Sequence, residues 1–171
     1  MSNILSIFDL MSQIKIIECP RDAMQGIKSH FIPTSDKARY INSLLKVGFD
    51  TIDFGSFVSP KAIPQMRDTA EVLSLLDLQT TRSKLLAIVA NVRGAQDAVQ
   101  FEGINYLGYP FSISENFQMR NTGKTIDQSL VTLEGIMELA FSSKKEVVAY
   151  LSMVFPMRKI RYMDSINYPV F

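Results

Sequence analysis

Along the chain, short apolar runs alternate with longer stretches whose apolar residues recur every three or four positions, the signature of strands alternating with helices. Residues 14–17 predict a short buried strand, followed by a polar loop carrying Pro20, Arg21, Asp22 and Gly26. Thr34 is placed to cap a helix whose apolar face is Ala38, Ile41, Leu44 and Leu45, with Gly48 closing it. Residues 51–54 predict a second strand. Beyond the Pro-containing segment 57–64, Met66, Ala70, Leu73 and Leu76 are spaced for one face of a second helix. Residues 85–90 are almost continuously apolar, the pattern of a parallel strand covered on both sides. A short Ala-rich helix near 94–100 precedes a fourth strand at 104–107. Thr125 and Gln128 then have the spacing of a capping box, opening a helix with Ile126, Leu130, Leu133, Met137 and Ala140 on one face. A fifth strand is predicted at 147–155.

Five strands alternating with four helices predict an α/β fold with a parallel sheet and right-handed crossovers. A closed barrel and an open doubly wound sheet share this local pattern, so periodicity leaves both open. The first strand is followed by no GxGxxG, which argues against a dinucleotide-binding fold. Polar residues collect after the strands: Arg21 and Asp22 after the first, Asp53 and Ser56 at the end of the second, Asn91 and Arg93 after the third. Ser112, Ser114 and Glu115 follow the fourth, and Ser152 lies within the end of the fifth. In parallel α/β folds the carboxyl ends of the strands build the site. The competing reading is that loops are polar everywhere, and that Arg21 and Asp22 form an exposed loop ion pair of little worth.

Composition narrows the function classes. The chain has 171 residues, 47% hydrophobic and 20% charged, with a formal net charge of +1, which fits one domain with a sizeable core. Such a balance offers no general attraction to nucleic acid or to an anionic membrane, and neither is expected as a partner. No apolar run is long enough to span a bilayer. The apolar residues 4–10 lack a basic flank and include Asp9, unlike a secretory leader. One cysteine, Cys19, excludes an internal disulfide framework and fits a reducing cytoplasm. Cys19 reads as a buried strand-end residue, and His30, the one histidine, as a structural or solvated loop residue.

Three stretches carry a resemblance. Pro20-Arg21-Asp22-Ala23-Met24-Gln25 resembles the PRDGxQ segment that follows the first strand of 3-hydroxy-3-methylglutaryl-CoA (HMG-CoA) lyases. Ser56-Phe57-Val58-Ser59-Pro60-Lys61, continuing to Pro64-Gln65-Met66, resembles their SFVSPKxxPQM loop, and Ser114-Glu115 with Asn121 resembles their fourth-strand segment. An Arg-Asp pair alone also marks isopropylmalate and homocitrate synthases; the SFVSPK loop points to the lyase branch. The resemblance implies a (β/α)8 TIM barrel of which this chain holds about the first five strands, as residues 13–155. It implies cleavage of HMG-CoA to acetyl-CoA and acetoacetate, assisted by Mg²⁺ or Mn²⁺, or a related Claisen-type reaction on an acyl-CoA or 2-oxo acid. Asp22 would be a metal ligand, Arg21 would stabilise the enolate, and Gln25, Ser56 and Ser114 would contact substrate. Asp53 would serve in the proton-handling network, although it stands where the lyases carry the longer Glu. Ala23 and Ala62 replace the usual Gly and Trp.

The resemblance also implies parts that this sequence does not hold. The lyases take further metal ligands from a His-x-His pair and an Asn on later strands, and a catalytic cysteine from a glycine-rich loop. No His-x-His occurs in the 171 residues. Residues 1–12 read as an N-terminal extension and 156–171 as a tail without family pattern, the expected product of premature termination. In that tail Arg158, Lys159 and Arg161 with Tyr162, Tyr168 and Phe171 are too few basic groups to read as a nucleic-acid site. A five-strand fragment is expected to lack activity alone and to self-associate through exposed edges and an uncovered apolar face.

Overall fold

The structure is a computed structural model describing residues 14–154. The extension 1–12, the tail 156–171 and the predicted strand end at Phe155 lie outside the described residues. In chain order the elements are β1 (Ile17–Glu18), α1 (Pro20–Gln25), α2 (Thr34–Val47), β2 (Thr51–Ser56), a 3₁₀ turn (Pro64–Met66) and α3 (Thr69–Ser74). They continue with β3 (Lys84–Ile88), α4 (Val92–Val99), β4 (Tyr106–Ser112), α5 (Glu115–Thr122), α6 (Ile126–Ser142) and β5 (Glu146–Ser152). Each strand pairs in parallel with the next, in the spatial order β1-β2-β3-β4-β5. That order decides what periodicity left open. A doubly wound sheet reverses direction at a switch point, whereas a barrel adds strands consecutively. The described chain is a five-stranded partial barrel.

The core lies between the sheet and its helices. Leu85, Leu86, Ala87 and Ile88 of β3 are all buried, as expected for a central parallel strand. Ala38, Ile41 and Leu45 of α2 pack into the same cluster, and Gly48 ends that helix at φ 83°, a left-handed cap that glycine adopts without strain. Thr34 does not cap α2. Pro33 holds the cap position, and Thr34 Oγ1 donates instead to Asp68 Oδ2 at 2.7 Å. Asp68 also pairs with the buried Lys37 at 2.6 Å, so α2 is anchored by its first turn to the segment that leads into α3.

Three further expectations change. The strand at 14–17 shrinks to Ile17–Glu18, and Ile14 and Ile16 are exposed, because β1 has a neighbour on one side only among the described residues. The polar loop after it is the helix α1, which Pro20 opens from its first turn, where a missing N–H costs nothing. Along α6 the expected stripe holds in part: Ala140 is buried and Leu133 packs against the core, but Leu130 and Met137 are exposed while Ser129 and Ile136 are buried. Ser129 is satisfied inside, since its Oγ accepts from Gln118 Nε2 at 2.7 Å and its carbonyl from Tyr109 Oη at 3.3 Å. A polar residue satisfied in this way goes inside as readily as an apolar one. The capping box of Thr125 and Gln128 forms as predicted.

Candidate functional site

Asp53 lies in the middle of β2 rather than at its end, and is fully buried. Directly after it, the pairing of β2 with β3 slips from Asp53↔Leu86 to Gly55↔Ala87, so Phe54 is the extra residue of a bulge. The bulged strand is held from below by Thr69, whose Oγ1 accepts from the Ser56 amide at 3.1 Å. Only glycine fits at position 55, since a Cβ there would come within 2.5 Å of Thr69 Cγ2.

Arg21, on α1, is the partner that makes a buried Asp53 tolerable. Arg21 Nε donates to Asp53 Oδ1 at 3.1 Å and Nη2 to Oδ2 at 2.5 Å, a side-on bidentate pair. Arg21 Nη1 donates to Asp22 Oδ1 at 3.1 Å and to Gln25 Oε1 at 3.0 Å, and Gln25 Nε2 closes the ring onto Asp22 Oδ1 at 2.8 Å. Burial pushes the Asp53 carboxyl above its ordinary value, against the pull of the Arg21 hydrogen bonds. Burial likewise opposes the Arg21 charge, but the hydrogen bonds and field of Asp53 outweigh it and leave the guanidinium above its ordinary value. Arg21 and Asp53 therefore form a paired unit, fixed in orientation. The reading of Arg21-Asp22 as an exposed loop pair is half right: Asp22 is exposed, but Arg21 is buried and its main partner is 32 positions away.

These groups open on a cavity of about 480 Å³. Its wall runs along the carboxyl ends of the strands, through Cys19 after β1, Asn91 after β3 and Ser152 of β5, and includes Arg21, Asp22 and Asn121. Two groups that the sequence did not mark also line it. Tyr150, in β5, carries a buried hydroxyl with no partner in hydrogen-bond geometry among the described residues, and burial together with the neighbouring Asp53 carboxylate raises its pKa. It was hidden in an apolar strand, although its alternation with Ser152 puts both on one face. Lys124, in the connection between α5 and α6, is the other. Cys19 is half-buried, and its thiol is pushed up by burial and then by Asp53.

The other expected residues take different places. Ser56 is buried and its Oγ accepts from the Val58 amide at 3.2 Å, which shapes the turn that follows β2. Ser114 caps α5, accepting from the Phe117 amide at 3.5 Å, and neither serine lines the cavity. Gln25 touches Arg21 and Asp22 but lines a neighbouring cavity of about 440 Å³, shared with Lys28, His30 and Arg67. Arg93 is exposed outside both. Among the described residues, no three His, Cys, Asp or Glu side chains are grouped to hold a metal ion. Asp22 offers one carboxylate, already taken up at Oδ1, and one such ligand does not fit a resident divalent ion, which needs several oxygens around it. No described helix is long and apolar enough to cross a membrane.

A cavity at the carboxyl ends of consecutively ordered parallel strands, walled by apolar side chains with a few polar ones, defines a (β/α)-barrel portion with a candidate small-molecule site. Over its described length the chain is similar to HMG-CoA lyases in sequence and in fold. It is 33% identical over 144 residues to the mitochondrial hydroxymethylglutaryl-CoA lyase of Mus musculus, spanning 84% of this chain and 43% of the mouse protein. It is also 33% identical over 147 residues to the 3-hydroxy-3-isohexenylglutaryl-CoA/hydroxymethylglutaryl-CoA lyase of Pseudomonas aeruginosa, covering 85% of this chain and 48% of that one. A solved Pseudomonas aeruginosa hydroxymethylglutaryl-CoA lyase superposes with a TM-score of 0.74 at 32% identity, over 81% of this chain and 45% of that one. An Acinetobacter baumannii HMG-CoA lyase, solved with coenzyme A and 3-methylmalate, gives 0.72 at 33% identity, over 80% and 44%. The chain thus spans less than half the length of these relatives, matching an N-terminal portion of the lyase. A scan against protein-family models finds no match.

Proposed function

We propose that this chain carries the Arg21 half of an HMG-CoA lyase site, for cleavage of HMG-CoA to acetyl-CoA and acetoacetate. The observation that carries the reading is Arg21 on the wall of the cavity, held from behind by the buried Asp53. In the cleavage, a base takes the C3 hydroxyl proton, the C2–C3 bond breaks to leave the ketone of acetoacetate, its electron pair passes into the thioester as an enolate, and the enolate carbon then takes up a proton to give acetyl-CoA. A guanidinium fixed in advance by Asp53 stabilises the negative charge that grows on the thioester oxygen, at no reorganisation cost. Asp53 orients Arg21, and the Tyr150 hydroxyl stands beside Asp53 on the cavity side of β5. Mg²⁺ or Mn²⁺ would act as Lewis acid on the substrate oxygens. This chain offers Asp22 as one ligand, too few oxygens to hold the ion alone. Gln25, beside Arg21, borders the site, while Ser56 and Ser114 support it from their turns. A cytoplasmic setting is supported by the single cysteine.

Titrating HMG-CoA calorimetrically into the 171-residue chain, with Arg21→Met alongside, tests the reading. Saturable binding weakened in the variant is expected; a folded chain that ignores HMG-CoA would refute it.

A second reading, an interaction module, is favoured by one surface. Phe141 (87% exposed), Val131 and Met137 stand out from α6, and Leu151 and Val154 are exposed on and just after β5, an edge strand among the described residues. We propose self-association through this face and the β1 and β5 edges, which sedimentation over a concentration series would show as a rising mass.

A further inference from the structure

Charge inside the larger cavity is unevenly compensated. Its wall carries three charged side chains, Arg21, Asp22 and Lys124. Arg21 and Asp22 are bonded to each other, and Arg21 is bonded twice more to Asp53. Lys124 is different. Its ammonium donates to the Thr132 hydroxyl at 2.8 Å, and among the described residues no carboxylate lies within ion-pair distance of it. Thr132 is neutral and passes its own hydrogen to the Gln128 carbonyl at 3.0 Å, so it orients the lysine without neutralising it.

The backbone fixes where this charge stands. Gly123 closes α5 in a left-handed conformation at φ 68°, and Thr125 opens α6 with its capping box, so Lys124 is the one residue between two defined helix ends. Lys124 is half-buried, and burial lowers its pKa, the mark of a cation short of water. An ammonium in that state gains more from an anion than a surface lysine does. The wall with Lys124 follows β4, whereas Arg21 follows β1, with β2 and β3 between them. A ligand reaching from one to the other is polar at both ends, and the apolar Ile88, Pro110 and Phe117 on the same cavity wall suit a short carbon chain.

We propose that Lys124 binds the free carboxylate of a dicarboxylic acid monothioester, at the end of the acyl chain remote from the thioester. The inference rests on the acyl-CoA reading above and adds to it the group that selects the acyl part. A charge-assisted hydrogen bond of this kind corresponds to roughly 10- to 100-fold in affinity.

The test compares glutaryl-CoA with butyryl-CoA, thioesters of similar length of which only the first ends in a carboxylate. Dissociation constants are measured calorimetrically on the 171-residue chain and on Lys124→Gln and Lys124→Arg, with circular dichroism to show that each variant folds. Expected is a preference for glutaryl-CoA of at least about tenfold, lost in Lys124→Gln and partly kept in Lys124→Arg, with butyryl-CoA affinity the same in all three. If both thioesters bind wild type equally, or the preference survives Lys124→Gln, the proposal is overturned while the acyl-CoA reading stands. If neither thioester nor HMG-CoA binds, the acyl-CoA reading falls and this inference with it.

Discussion

Arg21 grips Asp53 side-on, Nε on one carboxylate oxygen and Nη2 on the other, at 3.1 and 2.5 Å, with the carboxylate wholly out of contact with solvent. The pair joins α1 to β2 and sets the angle at which the guanidinium faces the cavity. Removing one partner of such a pair leaves the other buried and charged. Asp53→Asn should therefore cost about 3–5 kcal/mol of folding stability. Asp22→Asn should cost under about 1 kcal/mol, because Asp22 is exposed to water that screens its bond. Urea denaturation of both variants measures the contrast, and equal losses would contradict the assignment of Asp53 as the structural partner.

Cys19 should react slowly with iodoacetamide, with a pH midpoint above that of an ordinary thiol. Burial is the larger cause and the Asp53 carboxylate the next, so Asp53→Asn should speed alkylation at fixed pH. The sign for stability follows from the same shift. A thiol with a raised native pKa holds its proton more tightly when folded. Its contribution is complete below the ordinary thiol range and is lost as pH rises through the native value.

Gly55→Ala should destabilise the chain by about 1–3 kcal/mol, since the new methyl meets Thr69 at 2.5 Å inside a packed region. Gly26→Ala, where a Cβ would meet nothing within 4 Å, is the control and should leave the melting temperature nearly unchanged.

The 171-residue chain alone should release no acetoacetate from HMG-CoA with Mg²⁺ or Mn²⁺ added. Among the described residues no three His, Cys, Asp or Glu side chains are grouped to hold an ion, and one carboxylate, Asp22, cannot orient a hydrated ion against substrate. Metal-dependent acetoacetate release from the pure chain, followed enzymatically, would show that its own residues suffice.

Local features were legible in the order of the residues. Gly48 as a left-handed cap, the Thr125–Gln128 capping box and the doubly buried β3 depend on residues within a few positions of one another, where short-range sterics and hydrogen bonding decide the outcome. The Pro20–Gln25 and Ser56–Lys61 segments likewise pointed to the site's location, because their residue types stand next to each other in the chain. Contacts between distant positions were not legible. Strand order separated barrel from open sheet, and it rests on hydrogen bonds such as those in the Leu86↔Tyr106 register that no local pattern encodes. Ser129 lies inside because Gln118 and Tyr109 are there to satisfy it, a placement that hydrophobicity alone does not predict. The partner of Arg21 lies 32 positions away, and Lys124 and Tyr150 reach the same cavity only because four strand pairings bring β1 and β5 to one wall. The amino-acid order was enough to show the alternation of strands and helices and to draw attention to the arginine. Which charges are compensated, and which one is left facing the cavity, was settled by packing, since compensation is a matter of distance in space.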